Sequence, residues 1–348
     1  MKILVLGASY GSLLSTKLLM AGHDVTLVCT ADEALLINAK GTIVRLTLRD
    51  EKEPRLILSG DLRGHLDAVT PAKAVPADYN LVALAMQEPQ YDAPEIGDLL
   101  SRIASAGKPA MSIMNMPPLP YLRRIPGIDA RTIREAYADP SVWDVLNPAL
   151  VTLCSPDPQA FRSPEEGLNF LHVGLPTNFK VAAFDSPVHT DLLKTLERDI
   201  AAVRLDGKDV PVKLKLHESL FVPLAKWPML LTGNYRAITR SGVRPIEAAV
   251  HEDLSLSREV YNWVADLTIA LGGSQEDAVP FEKYARAAEG LLKPSSAARA
   301  IAAGATRIER VDLLVQKLAA SRGLWHPEVD QIVSIVDARL AANRRLAS

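Results

Sequence analysis

Several residues in this chain have the types and spacing to do chemistry. Lys226 interrupts the apolar run Leu220-Phe221-Val222-Pro223-Leu224-Ala225-Lys226-Trp227-Pro228-Met229-Leu230-Leu231. A charge in such a run calls for a partner or a role, because burying it unpaired is costly. Desolvation draws a lysine's pKa toward neutrality, so its ammonium can hand a proton to a developing alkoxide. The plain alternative is a lysine whose stem lies on apolar surface while its head stays in water. Asn234 follows at a spacing of two helical turns, on roughly the same face if the helix is regular. Its amide can hydrogen-bond the oxygens of a substrate, or simply hold Tyr235. Pro228, between them, removes a helical hydrogen bond and predicts a kink or a new helix beside Lys226. Ser295 and Ser296 follow Pro294 and precede an alanine-rich segment. Their hydroxyls suit an N-cap, or a substrate carboxylate at a helix N-terminus. Glu309 offers a carboxylate to orient the lysine, or a solvated charge beside Arg310.

A second chemical group lies at the start of the chain. Ile3 to Leu6 is an unbroken apolar run, as in a parallel strand covered on both faces. Gly7-Ala8-Ser9-Tyr10-Gly11-Ser12 is a small-residue turn, and Leu13, Leu14, Leu18 and Leu19 give the next helix its apolar stripe. Gly22 ends that helix before the strand Val25 to Val28. Strand, turn and helix start together suit a pyrophosphate, because unpaired N–H groups and a positive dipole end gather there. The usual fingerprint is G-x-G-x-x-G. Gly7 takes its first position, Ser9 and Ser12 stand at the second and third, and Gly11 falls one place early. A loop shortened by one residue accounts for all of these departures at once.

The elements that must position these groups read as follows. The chain has 348 residues, enough for two domains. It is 48 % apolar with a net charge of −2, a globular composition that excludes a basic nucleic-acid surface. No run approaches the ~20 apolar residues that span a bilayer, and Lys2 leads straight into a strand rather than a leader. Cys29 and Cys154 are too few for a disulfide framework or a cysteine-rich metal site, so a reducing, cytoplasmic compartment is expected and no metal. A helix over 32–39 precedes a strand over 42–48, paired with 55–58 across the charged turn 50–54. Further strands are expected over 79–85 and 110–115, with a helix over 96–106 between them. Strands alternating with helices predict an α/β fold with a parallel, doubly wound sheet. From 116 to 162 the prolines predict an irregular excursion with a short helical piece near 131–138, serving as a lid, a surface decoration or an oligomer contact. Strands return over 168–174 and 180–184, then a helix over 188–201 and a last strand at Val203-Arg204-Leu205. Beyond Gly207 the pattern is helical, over 216–239, 244–271, 282–291, 307–322 and 327–346. Two domains are therefore expected, 1–207 and an all-helical 208–348. Leu313, Leu314 and Leu318 fit either a dimer face or an internal core.

In this order and at these distances the motifs resemble the ketopantoate reductase family, over most of the chain. The opening Ile3 to Leu14 and Ala21 to Val28 is similar to that family's, less one loop residue. Asp78-Tyr79-Asn80-Leu81-Val82-Ala83-Leu84 resembles its next signature strand, although Ala85-Met86-Gln87 stands where the family has a lysine. Ile113-Met114-Asn115 resembles the strand leading to its asparagine, with Met116-Pro117-Pro118 in place of glycines. Lys226 and Asn234 resemble its catalytic lysine and second asparagine, Leu230 replacing the first. Lys293-Pro294-Ser295-Ser296 resembles its substrate-binding serine segment, and Glu309-Arg310-Val311-Asp312 its late acidic motif.

The resemblance implies a Rossmann-type sheet domain followed by a helical domain. It implies reduction of a 2-oxo acid or related carbonyl, with hydride from NAD(P)H and a proton from a cleft lysine. Lys226, Asn234 and Glu309 would be catalytic, and Asn115, Ser295 and Ser296 would bind substrate. Gly7, Ala8, Ser9, Tyr10, Gly11, Ser12, Thr30, Met86, Gln87 and Asn115 would hold the cofactor. An acid at the end of the second strand favours NAD and an arginine NADP; Val28-Cys29-Thr30 supplies neither. NADP is implied by the resemblance alone, and the resemblance also implies a small-molecule oxo-acid substrate; charge and composition give the expectation of no nucleic acid and no membrane, and the apolar helical stripes that of a possible homodimer. Two other readings stand beside this one. An opine-type dehydrogenase would use a histidine, with His217 beside Glu218 or His251 beside Glu252. A non-catalytic dinucleotide-binding protein would keep the fold with a damaged loop.

Overall fold

The computed structural model describes residues 1–49, 51–163 and 165–347. Asp50, which opens the expected charged turn, and Ser348, the last residue of the expected second domain, lie outside them. Along the chain the strands are β1 (Lys2–Leu6), β2 (Asp24–Val28), β3 (Ile43–Leu46), β4 (Arg55–Leu58), β5 (Leu66–Val69), β6 (Leu81–Leu84), β7 (Ala110–Ile113), β8 (Val151–Ser155), β9 (Gln159–Phe161), β10 (Phe170–Leu175), β11 (Phe179–Ala182), β12 (Arg204–Leu205), β13 (Lys208–Asp209) and β14 (Leu214–His217). The helices among them are α1 (Gly11–Met20), α2 (Ala31–Lys40), α3 (Pro94–Ser105), the single turn α4 (Leu119–Leu122) and α5 (Pro187–Ala202).

The main sheet has the order β14-β11-β8-β7-β6-β1-β2-β5. From β5 to β8 every pairing is parallel. Numbered within that block, the order is 3-2-1-4-5-6, the doubly wound arrangement whose ligand crevice opens at the carboxyl ends of the first and fourth strands. Here those strands are β1 and β6, with Leu6 opposite Leu84. Strand β11 is antiparallel to β8 and continues the sheet to β14. A smaller sheet, β4-β3-β10-β9, packs into the same unit.

Periodicity explains these elements. In α3, Pro94 starts the helix where no N–H is needed, and Ile96, Leu99, Leu100 and Ile103 form its buried stripe. Helix α1 is buried on all sides. Ile3, Val5, Leu13, Leu14, Leu18, Leu193 and Leu196 from β1, α1 and α5 share one apolar core. Lys17 lies inside that shell, 1 % exposed, its ammonium donating to the carbonyls of Pro211 at 2.9 Å and Val210 at 3.4 Å.

Several expectations are corrected. The stretch 116–162 is not irregular throughout, because β8 is a fully buried strand beside β7. Its prolines flank the strand rather than interrupt the ladder. Leu66–Val69 is a further strand, too short and mixed to show in the pattern. Arg204–Leu205 does not join the sheet; it forms a hairpin with β13 about Asp206 and Gly207, whose φ values of 50° and 77° match a two-residue hairpin turn. Leu216 and His217, expected to start a helix, belong to the sheet's edge strand Leu214–His217.

The chain divides into two compact units. The first comprises 1–86, 90–121 and 141–218, and the second 87–89, 122–140 and 219–348. The division thus falls at 218/219 instead of 207/208, and part of the proline-rich stretch belongs to the helical unit. In that second unit the expected helix over 216–239 is broken into a 3₁₀ turn (Val222–Lys226), one α turn, α6 (Trp227–Met229), and a π turn (Leu230–Tyr235). Pro228 sits in the first turn of α6, where its missing N–H costs nothing. Next come α7 (Ile246–His251) and α8 (Leu254–Ala270), separated because the Asp253 side chain caps α8 by accepting from the Leu256 N–H at 2.9 Å. The unit closes with α9 (Phe281–Ala288), α10 (Ser296–Ala302), α11 (Val311–Ser321) and α12 (Pro327–Ala347). Leu314 and Leu318 are buried inside this unit and offer no free dimer face. Among the described residues no helix is long and apolar enough to cross a membrane.

Candidate functional site

In the sheet unit, the turn after β1 is set by two glycines with different duties. Gly7 has φ +101°, and a Cβ there would lie 2.6 Å from Met86 Cγ and 2.9 Å from the Ala85 carbonyl oxygen. A side chain is excluded both by the backbone angle and by the end of β6. A Cβ on Gly11 would lie 2.8 Å from Val5 Cγ1, so this glycine lets α1 pack closely on β1. That is the duty of the third glycine in the usual fingerprint, and it fits a loop one residue short.

The polar side chains of the turn are committed to the protein. The Ser12 hydroxyl donates to the Ala8 carbonyl. The Tyr10 hydroxyl donates to the Pro158 carbonyl at 2.6 Å, and its ring meets Phe179 edge-on at 6.1 Å. Burial, with the nearby Cys154 and Asp157, keeps that phenol protonated far above its ordinary range. Ser9 alone is exposed. Among the described residues no acceptor takes the N–H groups of Ser9, Tyr10 or Gly11. No acidic residue stands in the first turn of α1. The turn therefore presents unpaired donors and a helix start without a competing carboxylate, and it fits a pyrophosphate.

Neighbouring strand ends complete this edge. The Gly7 N–H donates to the Val28 carbonyl at 2.9 Å, placing the end of β2 directly beside the turn. Thr30, expected to touch cofactor, caps α2: its hydroxyl accepts from the Glu33 N–H at 3.4 Å and donates to Glu33 Oε2 at 3.0 Å. Met86 and Asn115, both half-buried, follow β6 and β7. Gln87 is exposed and belongs to the second unit.

In the helical unit, Lys226 is half-buried at the end of the 3₁₀ turn. Asn234 lies in the π turn, so the two are not carried by one regular helix and the expectation of a common face does not apply. Gly233 makes the π turn possible, since a Cβ there would strike the Tyr284 hydroxyl at 2.1 Å and Ile246 Cγ2 at 2.9 Å. Such turns are frequent at functional sites. Trp227 Nε1 and Thr232 Oγ1 in this segment are buried without a hydrogen-bond partner among the described residues.

The π turn gathers the other expected residues. Ser295 caps α10 by accepting from the Ala298 N–H at 3.1 Å, and it donates to the Asn234 carbonyl at 2.7 Å. Tyr235 donates to the Glu309 carbonyl at 2.5 Å and accepts from the Val311 N–H at 2.9 Å. Glu309 is 9 % exposed, so it is not a solvated helix charge, and its Oε1 accepts from the Glu88 N–H at 3.4 Å. Ser296 is exposed at the start of α10. Ser295, Asn234 and Glu309 thus share one hydrogen-bonded framework, and Ser295 holds the backbone rather than offering its hydroxyl outward.

Sequence reasoning did not single out Glu88, Arg162 or Glu33. Glu88 is 1 % exposed, its carboxylate accepting from the Ala138 N–H at 3.2 Å; no local pattern marks it. Arg162 reaches Glu33 at 2.6 Å from far along the chain. Glu33 itself was legible, because Thr30-x-x-Glu33 is a capping-box spacing. Of the histidines offered for imine chemistry, His251 donates Nε2–H to the Ala285 carbonyl at 3.0 Å and joins α7 to α9. His217 is the last residue of the edge strand β14.

No protein-family model and no curated protein matches the chain. Solved structures do. The 2-dehydropantoate 2-reductase from Methylococcus capsulatus superposes with a TM-score of 0.68 at 13 % identity, covering 99 % of this chain and 98 % of its own. D-mandelate dehydrogenase, in a ternary structure with NADH and anilino(oxo)acetate, gives 0.66 at 13 % identity over 99 % and 100 %. The dimeric ketopantoate reductase from Staphylococcus aureus gives 0.63 at 13 % identity over 99 % and 100 %. The chain has the fold of these reductases, a Rossmann-type sheet unit and a helical unit.

Proposed function

We propose that this protein is a nicotinamide-dependent oxidoreductase that reduces a 2-oxo acid or a related carbonyl. The observation that supports this reading most is the turn at residues 7–12. It lies at the switch point of a 3-2-1-4-5-6 sheet, leaves three N–H donors without an acceptor among the described residues and directs its tyrosine away. Ser9, Tyr10 and Gly11 would hold the pyrophosphate by backbone N–H groups, with Gly7 and Ala8 giving the close approach, Ser12 bracing the turn and Met86 and Asn115 flanking it. Bound there, a reduced nicotinamide supplies the hydride.

Lys226 would hold the proton at Nζ and release it to the oxygen of the carbonyl being reduced. Asn234 would orient substrate oxygens with its amide, and the exposed Ser296 hydroxyl would meet the substrate carboxylate. Ser295 and Tyr235 are then positioning residues for Asn234 and Glu309. Two structural neighbours are named as ketopantoate or 2-dehydropantoate reductases, and a third carries NADH and an oxoacetate compound. The resemblance implies NADPH, an implication that the carboxylates after β2 work against.

The test is titration of the purified protein with NADH and NADPH by nicotinamide fluorescence, followed by turnover of a panel of 2-oxo acids. Binding together with turnover that disappears in Lys226→Ala supports the proposal. Failure to bind either dinucleotide would favour a protein that kept the fold and lost the cofactor.

A further inference from the structure

In the doubly wound fold the group that follows the second strand meets the adenosine ribose, and its charge separates a 2′-hydroxyl from a 2′-phosphate. In this chain the end of β2 is fixed beside the glycine turn by the Gly7–Val28 hydrogen bond. The first turn of α2 then carries two carboxylates, Asp32 and Glu33, and no cation. Glu33 is held in place. Oε1 accepts from Arg162 Nη1 at 2.6 Å, and Oε2 accepts from the Thr30 N–H at 3.2 Å and the Thr30 hydroxyl at 3.0 Å.

The electrostatics of the strand end agree with this pairing. Burial, then the Glu33 charge, push the Cys29 thiol up to about 12, with Arg162 opposing. Although burial works against the Glu33 carboxylate, Arg162 and Thr30 hold its pKa below the usual range. Arg162 is thereby neutralised, yet its Nη2 is buried and has no hydrogen-bond partner among the described residues.

Resting on the nicotinamide reading, we infer that Glu33, held by Arg162, makes this protein select NAD(H) over NADP(H). A ribose 2′-hydroxyl can donate to a carboxylate. A 2′-phosphate would bring about two negative charges to a turn with two carboxylates and one cation already paired. Arg162 directly follows β9, so a search of the residues that follow β2 does not find it.

The experiment is a pair of fluorescence titrations, NADH and NADPH, on the full chain at low and at moderate salt. The expected result is NADH binding tighter by a factor of about ten or more, near 1.4 kcal/mol, with the gap narrowing as salt is added. In Glu33→Gln the ratio should fall several-fold toward NADPH, because Arg162 is then an uncommitted cation. Asp32→Asn, on an exposed residue, tests the same charge argument without disturbing the cap and should shift the ratio in the same direction to a smaller extent. Equal binding, or tighter NADPH binding, in the unaltered protein overturns this inference and leaves the nicotinamide reading standing. Binding of neither dinucleotide overturns both.

Discussion

The glycine turn at 7–12 and the segment from Lys226 to Tyr235 place chemical groups by opposite means. In the first, the working surface is made by what is missing. Gly7 leaves room for the end of β6, Gly11 lets α1 lie against β1, and Tyr10 and Ser12 are tied to carbonyls. Backbone N–H groups remain, as an anion requires. In the second, position depends on side chains that are fully engaged. Three helix types follow one another within 222–235, and Ser295, Tyr235 and Tyr284 fasten that backbone to α10, the start of α11 and α9. A phosphate accepts several geometries of N–H donor, whereas a proton donor must meet one atom. On the proposed reading, the looser requirement would be met by the turn and the stricter one by the braced framework.

Breaking either region should have a distinct signature. The largest effect is expected from Lys226→Ala: kcat should fall roughly 10²–10⁴-fold, with NADH affinity changed less than about twofold. Equal losses in both would mean that the lysine holds the fold or the cofactor instead of donating a proton. Gly7→Ala should act in the opposite sense, abolishing dinucleotide binding and lowering stability by about 1–3 kcal/mol, read by titration and by denaturant melts.

Tyr235→Phe tests the framework. It leaves the Glu309 carbonyl and the Val311 N–H without their partner and should cost about 1–3 kcal/mol. If kcat falls while KM stays constant, Tyr235 is positioning the catalytic groups as well as stabilising the unit. The sheet unit carries its own pH signature. Burial, with Lys213 adding to it, lowers Lys17 from the ordinary 10.5 to about 7. Between these values the unfolded chain holds the proton and the folded chain has released it. Stability should therefore rise with pH from about 7 to about 10.5, by up to ~1.4 kcal/mol per pH unit. Urea melts of the protein and of Lys17→Met across that window should differ in slope, and parallel curves would refute the assignment. The smallest effect separates the two serines. Ser295→Ala should cost about 1 kcal/mol as a lost cap, whereas Ser296→Ala should leave stability within about 0.5 kcal/mol and raise KM for the oxo acid.

Much of the sheet unit was legible because its signals are local. The apolar run of β1, the glycines of the turn and the four-position spacing of the α3 stripe each follow from neighbours in the chain. Strand β8 was hidden because its prolines looked like breakers and only pairing with β7 shows that they flank it. In the helical unit, apolar periodicity marked helices over 244–271, 282–291, 307–322 and 327–346; the first is two helices, 246–251 and 254–270, and the others differ by a few residues at most ends. It could not show the change of helix type between Val222 and Tyr235. A π turn depends on what packs against it, here Tyr284 and Ile246 beside Gly233.

By itself the sequence determined which residues can do chemistry here: a glycine turn after an apolar strand, a lysine in an apolar run, serines before an alanine-rich helix. Tertiary structure decided which of those groups are committed and which remain available. Ser295 and Thr30 became caps, Ser9 and Ser296 stayed exposed, and Arg162 arrived at Glu33 across more than a hundred residues of chain. The physical reason is that type and spacing set what a side chain can bond. Which bond it makes depends on the atoms that folding brings within about 3 Å.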